Sequence, residues 1–403
     1  MKILSIISAG YEHGGAETML AGCHAAFKEL GHESRIISSD LHSDLLHYSD
    51  YEFAAIPAKG LKKLFNSVFN ASAYRVTRSV LEEYEPDVVV LHTMHQITPA
   101  VLFLLKSYPT VQCVHGPEAF TTSLLPWCMN ISMFKNRDYD IGSVKLSGRA
   151  WYWAHRYPYG YLYRYALRNV DRFIVFSGYV AQLMEGDGFD SKLISYVPPG
   201  VELMAGPERS SGGEELVITY AGRLERYKGI DCLVDAMPEV LAHSPQARLG
   251  IAGEGSYADQ LKARVSRLGL RDSVNFVGHI KEADLAAFYA NSLVTVVPST
   301  WPEPFGKVGV EAMSVGTPVI ASDVGGIRDW LSDGQNGILV PPSEPGDLAK
   351  AIIRVIDEPG LRAALSSNAR QSADKFLIDR HAAELLAVVS DVLAQVGSGS
   401  LSK

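Results

Sequence analysis

The sequence predicts an α/β protein built from two doubly wound parallel sheets. Apolar strand-like runs alternate with helical patterns along most of its 403 residues. The runs are nearly continuous in Val, Ile and Leu, as expected of strands that crossover helices bury on both faces. A chain of this length also exceeds what one ordinary hydrophobic core accommodates. Two domains of the same class follow from these observations.

The candidate strands fall into two groups separated by a stretch rich in Pro, Gly and Ser. The first group covers residues 2–7, 34–38, 87–92, 110–115, 172–177 and 192–197. The second covers residues 216–222, 247–253, 273–278, 293–299, 318–322 and 337–340. The stretch between the groups is typical of an exposed connector. We therefore predict these parts of the chain: an N-terminal domain over 1–197, a linker over 198–215, a C-terminal domain over 216–375, and a helix over 376–403 that packs back on the N-terminal domain.

Composition restricts the class of protein further. Hydrophobic residues make up 47% and charged residues 20%, as in soluble globular proteins. No apolar run in the sequence reaches the roughly 18 to 20 residues that span a bilayer. The N-terminal apolar stretch is about six residues, shorter than the ~7–15 of a signal peptide, so we expect a first strand and a cytoplasmic protein. The formal charge of -8 argues against nucleic acid as a partner.

The cysteines give little support to a disulfide or zinc framework. There are four of them, with no CxxC spacing and no accompanying histidine array. Buried free thiols are the expected state.

The stretch WPEPFGKVGVE, residues 301–311, carries two glutamates eight positions apart. Pro304 disfavours helical geometry at Glu303 and suits the first position of a helix, so Glu303 is expected before the helix and Glu311 two turns inside it. The run at 293–299 places this helix start at the carboxyl edge of a strand. Backbone amides at such a start bind polar or anionic ligands, and the candidates are Phe305, Gly306 and Lys307. Taken alone, each glutamate also fits a solvated charge on a helix.

A second motif, GRLERYKG at 222–229, follows the run at 216–222. Arg223 and Lys228 lie on this strand-to-helix turn. A guanidinium fork and an ammonium point charge suit a diphosphate and neutralise a phosphate leaving group without a metal. The competing interpretation is a pair of exposed basic side chains on a loop.

Weaker signals lie at other strand ends. Gly253 and Gly255 in AGEGS let a flat ring or a phosphate approach the backbone. Gly15 in GGAE opens a helix, but the GxGxxG spacing of dinucleotide-binding proteins is missing, which disfavours a dehydrogenase. His115 ends the run at 110–115, where a lone histidine is more often structural or merely exposed than functional.

Two segments are basic. Residues 130–172 hold eight Lys and Arg against three acids, with many aromatics, and residues 59–78 hold five Lys and Arg with no acid. Such segments bind an anionic membrane surface. A solvated helix face with aromatics packed into the core is the alternative.

The motifs together resemble the retaining glycosyltransferases of family 4. In chain order they are GGAE, VHG, FIVFSGYV, AGRLERYKG, AGEG, VGH, PSTWPEPFGKVGVEAMSVGTPVIASDVGG and NGILVPP. The resemblance is strongest over 216–342 and weakest over 118–170. It implies the GT-B fold, two Rossmann-like domains facing across a cleft, with the nucleotide sugar on the second domain and the acceptor on the first.

The resemblance also implies residue roles. Arg223 and Lys228 would grip the diphosphate, Glu303 would bind the donor sugar, and His115 would stand beside the reaction centre; these four are the implied catalytic residues. Further donor-binding positions are implied at Gly15, Gly253, Gly255, Phe305, Gly306 and Glu311. The family needs no metal or other cofactor and retains the anomeric configuration by front-side attack. Lys228→Ala is therefore predicted to lower turnover by orders of magnitude and to leave the fold intact.

The predicted function is retaining transfer of a hexosyl-type sugar from a UDP or GDP sugar. The predicted acceptor is a saccharide or a polyprenyl-linked saccharide in bacterial surface polysaccharide or glycolipid assembly. The basic segments predict peripheral contact with the anionic inner face of the cell membrane. The alternatives are a nucleotide-sugar 2-epimerase of the same fold and a non-catalytic protein that binds sugar nucleotides.

Overall fold

The structure is a computed structural model that describes most of the chain as two compact units. The residues described are 1–11, 15–41, 47–57, 66, 69–94, 96–116, 158–202 and 216–398, with side chains left out at 158–161 and 282–283. The first unit contains the described residues up to Gly200 and the last helix from Ile378; the second contains Val201–Leu377. Most of the predicted linker and of the basic segment 130–172 lies outside the described residues, as do Lys59, Lys62 and Lys63 of the basic segment 59–78.

The first unit is built on a seven-stranded parallel sheet with the order β3-β2-β1-β4-β5-β6-β7. The strands are β1 Lys2–Ala9, β2 Glu33–Ser39, β3 Tyr51–Phe53, β4 Val88–Leu91, β5 Thr110–Val114, β6 Arg172–Val175 and β7 Ile194–Tyr196. The helices that accompany them are α1 Gly15–Glu29, α2 Ala71–Tyr84, α3 Pro99–Leu104, α4 Pro158–Ala166 and α5 Gly178–Gly186. The sequence did not predict β3, whose three residues include no apolar run.

The second unit is built on a six-stranded parallel sheet with the order β10-β9-β8-β11-β12-β13. Its strands are β8 Val217–Ala221, β9 Arg248–Ala252, β10 Val274–Gly278, β11 Val294–Val297, β12 Val319–Ser322 and β13 Gly337–Val340. Its helices are α6 Ile230–His243, α7 Ala258–Arg267, α8 Glu282–Ala290, α9 Lys307–Ser314, α10 Pro345–Asp357 and α11 Pro359–Ala373.

The central strands explain the continuous apolar runs. Every residue of β4, β11 and β12 is buried. Burying one Val, Leu or Ile side chain stabilises the fold by about 1.5–3 kcal/mol. Alternation would have left one face of these strands polar, so their composition requires helices on both faces.

The last helix, α12 Ile378–Gly397, completes the core of the first unit. Its Leu385 and Val389 are buried in one cluster with Ile3 and Phe27 of that unit. Arg172 at the start of β6 also donates to the Gln395 side chain at 3.1 Å. The first unit is therefore assembled from both ends of the described chain.

Both sheets reverse their strand order at one point. In the first sheet the reversal lies between β1 and β4, and in the second between β8 and β11. Ligands of open α/β sheets bind outside the carboxyl ends of the strands at such a point. In the second sheet the loops after β8 and β11 carry the two motifs that the sequence predicts to be functional.

Three described cysteines are free thiols, as predicted: Cys23, Cys113 and Cys232 are all buried. Among the described residues, no helix combines the length and the apolar character needed to cross a bilayer.

Candidate active site

An ion pair joins the loops that follow β8 and β11. The Lys228 ammonium donates to Oε1 of Glu303 at 2.6 Å. Lys228 ends a 3-10 turn after β8, and Glu303 lies in the loop between β11 and α9. Because β8 and β11 are hydrogen-bonded neighbours, residues far apart in sequence meet at the reversal point of the sheet.

Glu303 is ionised although it is only 5% exposed. Burial acts to raise the pKa of its carboxyl, but the Lys228 charge and hydrogen bonds from Lys228, Ser299 and Trp301 outweigh burial and lower that pKa below its ordinary value. The carboxylate therefore stays an acceptor at neutral pH. Its charge is held in place by the protein before any ligand arrives.

Two aromatic rings stand beside the cations. The rings of Tyr227 and Trp301 meet edge to face with centroids 5.3 Å apart. The Lys228 nitrogen lies 5.7 Å from the Tyr227 ring and 5.9 Å from the Trp301 ring. The Arg223 guanidinium lies 5.9 Å from the Tyr227 ring. Cation–π attraction thus keeps Arg223 and Lys228 on the same ring.

The two loops are also joined through the backbone of Tyr227. Its carbonyl accepts from the Thr300 amide at 3.0 Å and from the Thr300 hydroxyl at 3.2 Å. On the β8 side, the buried Tyr220 hydroxyl donates to the Arg223 carbonyl at 2.9 Å. The backbone that carries both cations is therefore fixed at several points, as a preorganised charge site requires.

Gly253 and Gly255 have a packing role in addition to any contact with a ligand. Gly253 has φ +125°, and a Cβ there would lie 1.9 Å from the Gly222 carbonyl oxygen. A Cβ on Gly255 would lie 2.3 Å from the Leu224 carbonyl oxygen. These glycines let the loop after β9 touch the loop that carries Arg223. That they border a base pocket remains a prediction.

The helix that carries Glu311 begins later than predicted. α9 starts at Lys307, not at Pro304, and Gly306 precedes it with φ +90°. This left-handed backbone interrupts any helix that Pro304 could start, so the expectation of a helix from Pro304 was wrong. Glu311 consequently lies little more than one turn inside the helix, rather than two.

Glu311 is a separate charge at the same edge of the sheet. Its carboxylate lies 3.6 Å from the Lys307 ammonium and 3.5 Å from the hydroxyl of the fully buried Tyr289. Burial raises the pKa of Tyr289 well above its ordinary value, and the Glu311 charge adds to the effect. Tyr289 therefore stays protonated and can donate to this carboxylate.

The remaining predicted residues lie in the first unit. Gly15 begins α1, and residues 12–14 before it lie outside the described part. His115 follows β5, and its Nε2 lies 3.2 Å from Nδ1 of His92, which follows β4. The His115 ring also packs on Phe176 with centroids 4.9 Å apart. The second unit, by contrast, brings together Arg223, Lys228 and Glu303.

Tyr227, Trp301 and Ser299 are site residues that the sequence analysis did not identify. All three lie inside or next to the two motifs, so proximity in sequence was the available signal. Their roles depend on ring and hydroxyl orientations that only the folded loops define.

The burial of His92 is expected to make stability depend on pH. It is 1% exposed, and burial, with a smaller contribution from His381, lowers its pKa to about 3 from 6.5. The unfolded chain binds a proton at His92 near pH 6.5, whereas the folded chain resists it. The stability that the neutral imidazole contributes is therefore complete above about pH 6.5 and is lost as pH falls from about 6.5 towards 3. We expect His92→Phe to remove up to about 1.4 kcal/mol per pH unit of this slope, measured by urea unfolding at several pH values.

The matched control for His92 is His243→Phe. His243 is exposed and pairs with Asp357 at 2.9 Å. This variant should change the slope between pH 6.5 and 4 by less than His92→Phe does, because an exposed ion pair contributes little to stability. An unchanged slope in His92→Phe would show that the buried imidazole takes up its proton without unfolding.

Two family models match the chain and together cover nearly all of residues 13–372. The model for Glycosyltransferase Family 4 matches residues 13–204, and the model for Glycosyl transferases group 1 matches residues 207–372. The chain belongs to glycosyltransferase family 4. The resemblance inferred from the sequence motifs is thereby confirmed.

Among curated proteins, an uncharacterised glycosyltransferase of Methanocaldococcus jannaschii is 37% identical over 185 residues. The match covers 46% of this chain and 47% of that protein. The chain spans about half the length of the curated relatives it matches.

Two solved structures share the fold over nearly the whole length of this chain. Sucrose-phosphate synthase from Thermosynechococcus elongatus has a TM-score of 0.74 at 23% identity, covering 98% of this chain and 100% of that one. The Anabaena protein HepE, solved in complex with UDP, has a TM-score of 0.71 at 21% identity, covering 97% and 100%. The chain has the GT-B fold, as the sequence predicted.

Proposed function

We propose that this chain is a retaining, metal-independent glycosyltransferase that moves a hexosyl-type sugar from a nucleoside diphosphate sugar to a saccharide acceptor. The observation that carries the proposal is the Lys228–Glu303 pair at the reversal point of the second sheet. A sugar diphosphate has two kinds of polar group, phosphates and hydroxyls. Cations and a buried carboxylate placed side by side complement both.

Each charge has a distinct part in the proposed reaction. Arg223 and Lys228 would neutralise the negative charge that develops on the leaving diphosphate. Glu303 would accept hydrogen bonds from sugar hydroxyls and hold the sugar in position for transfer. Its Oε1 already accepts from Lys228 and Ser299, so orienting the sugar suits it better than covalent attack. Transfer with retention would then follow front-side attack, with the leaving phosphate accepting the acceptor's proton.

The nucleotide is proposed to be UDP or GDP. Support for UDP comes from HepE, which was solved with UDP and with UDP-glucose. Glu311 would bind the ribose hydroxyls from α9, where its side chain is 13% exposed. UDP and GDP both carry the two neighbouring ribose hydroxyls that such a carboxylate would accept from.

The acceptor is proposed to be a saccharide or a polyprenyl-linked saccharide of a surface polysaccharide or glycolipid, reached by peripheral contact with a membrane. Support comes from α4, where Leu162 is 41% and Tyr165 is 59% exposed. The Arg168 guanidinium lies 5.3 Å from the Tyr165 ring, as at membrane interfaces where aromatic and basic groups alternate. Sedimentation with anionic vesicles at low salt tests this contact.

A panel of nucleotides tests the donor site. We expect UDP or GDP, and the matching sugar nucleotide, to raise the thermal unfolding midpoint while ADP does not, because a ligand that binds only the folded state stabilises it by mass action. Proton NMR of the transfer product should then show the anomeric configuration of the donor. The rate of transfer should be unchanged after treatment with EDTA.

Other results of the same experiment identify the alternatives. A free 2-epimer formed without any acceptor would indicate an epimerase. Nucleotide binding with no transfer and no donor hydrolysis over a broad acceptor panel would indicate a non-catalytic binding protein. An inverted product or loss of activity with EDTA would contradict the proposed mechanism.

A further inference from the structure

We propose that Trp330 is a positioning residue that fixes the Phe305–Gly306 peptide and thereby aims the Gly306 amide at the donor sugar. The inference rests on the proposed function, and none of the sequence motifs pointed to this residue. Trp330 follows the 3-10 turn Gly325–Asp329 after β12 and is 3% exposed.

The indole makes one hydrogen bond, and it goes to the backbone of this loop. Nε1 of Trp330 donates to the Phe305 carbonyl at 2.6 Å in a buried environment. An indole N–H is a donor only and is usually paired when it is buried. The Gly326 amide also donates to the Glu303 carbonyl at 2.8 Å. The segment after β12 thus holds this loop at two backbone carbonyls, those of Glu303 and Phe305.

Trp330 is itself held in place. The Asn336 side-chain amide donates to the Trp330 carbonyl at 2.9 Å, and the Asn336 side-chain oxygen accepts from the Ser332 amide at 2.8 Å. Asn336 is buried. The tryptophan therefore acts as a fixed donor, because the turn behind it is closed by its own hydrogen bonds.

The indole ring occupies the space beside the first turn of α9. A Cβ on Gly309 would lie 2.2 Å from the ring, at Cη2. A Cβ on Gly306 would lie 2.7 Å from Ile327. The sequence thus keeps these two positions free of side chains where Trp330 and its turn approach the helix.

One carbonyl contact controls an amide because a peptide unit is planar and trans. The Phe305 carbonyl and the Gly306 N–H belong to the same plane and point in opposite directions. When Trp330 holds the carbonyl, the N–H must point away from Trp330. Gly306 is in the left-handed region at φ +90°, where a glycine tolerates several peptide orientations. Without the indole N–H, the peptide is free to rotate.

Trp330→Phe removes the N–H and keeps an aromatic ring. With the nucleotide sugar selected by the panel above, we expect kcat/KM to fall about tenfold or more, as small misplacements of binding groups do. The affinity for the nucleotide alone should stay within about twofold of the wild-type value, because the proposed contact of the Gly306 amide is with the sugar. The proposal would be overturned if the variant lost stability but kcat/KM for the sugar nucleotide fell no more than the affinity for the nucleotide.

The double variant Gly309→Ala/Trp330→Phe separates packing from positioning. The added methyl group occupies space that the smaller ring vacates, so the thermal midpoint should recover in part. The value of kcat/KM should not recover, because the N–H is still missing. Recovery of both quantities would assign Trp330 a packing role only. Phe376→Leu is the matched control, since Phe376 packs on the Phe305 ring at 5.4 Å without bonding the loop backbone.

A crystal structure of Trp330→Phe gives a readout that needs no activity. We expect the Phe305–Gly306 peptide to lose its single orientation. A peptide that keeps its present orientation would refute the inference even if the proposed function were correct. Conversely, a wild-type chain that binds no sugar nucleotide would refute the proposed function and leave the peptide result to stand by itself.

Discussion

Lys228→Ala is expected to lower kcat by about 100-fold or more with any sugar nucleotide that the chain uses. The ammonium is one of two cations placed to neutralise the leaving diphosphate, and its nitrogen is already fixed 2.6 Å from Glu303. Preorganised charges of this kind act mainly on the transition state, so KM should change less than kcat. Single-turnover rates with wild type and variant measure the effect, and near-normal turnover would contradict the assignment.

The ion pair changes one expectation for this variant. The sequence alone predicts that Lys228→Ala leaves the fold intact. The structure shows that it also leaves the Glu303 carboxylate buried without its cation, which costs up to about 3–5 kcal/mol in comparable buried pairs. The double variant Lys228→Ala/Glu303→Gln is the control, because it removes both charges. It should regain stability over Lys228→Ala and remain inactive.

Glu303→Gln is expected to change binding and turnover in opposite directions. The neutral amide no longer neutralises Lys228, so the ammonium becomes fully available to a diphosphate, and the affinity for the free nucleotide should rise about tenfold. Turnover should fall about 100-fold, because the ionised acceptor for the sugar is lost. Calorimetric titration with the nucleotide and steady-state rates with the sugar nucleotide measure the two effects.

Glu311→Gln is the matched control for Glu303→Gln. Glu311 pairs with Lys307 at 3.6 Å and does not contact Lys228. If it binds the ribose, the affinity for the nucleotide should fall in this variant, opposite to Glu303→Gln. Equal changes in the two variants would mean that nucleotide affinity responds to net charge alone, and the assigned positions of the two carboxylates would be wrong.

The parts of the site that the sequence predicted are those that strand ends determine. Arg223, Lys228 and Glu303 each follow an apolar run, and the carboxyl ends of parallel strands share one edge of a sheet. Periodicity does not say which strands are neighbours, however. The adjacency of β8 and β11, which makes the Lys228–Glu303 contact possible, came from the folded topology.

Other features depend on forces that a local pattern does not contain. Pro304 favours a helix start, but the left-handed backbone of Gly306 and the contacts of that loop with the β12 segment delay the helix to Lys307. Trp330 lies far from the WPEPFG motif in sequence and reaches it only through the packing of successive crossover units. The strand β3 is stabilised by its neighbour β2 rather than by an apolar run of its own.

The contribution of α12 to the first unit has a consequence for how the protein is made. During synthesis the second unit, which is continuous from Val201 to Leu377, emerges in full before α12 does. Until then, the surface that Leu385 and Val389 cover in the finished fold stays open on the nascent chain. Domains fold as units while they leave the ribosome, usually the N-terminal one first. In this chain the first unit cannot complete its core until the whole second unit has been synthesised.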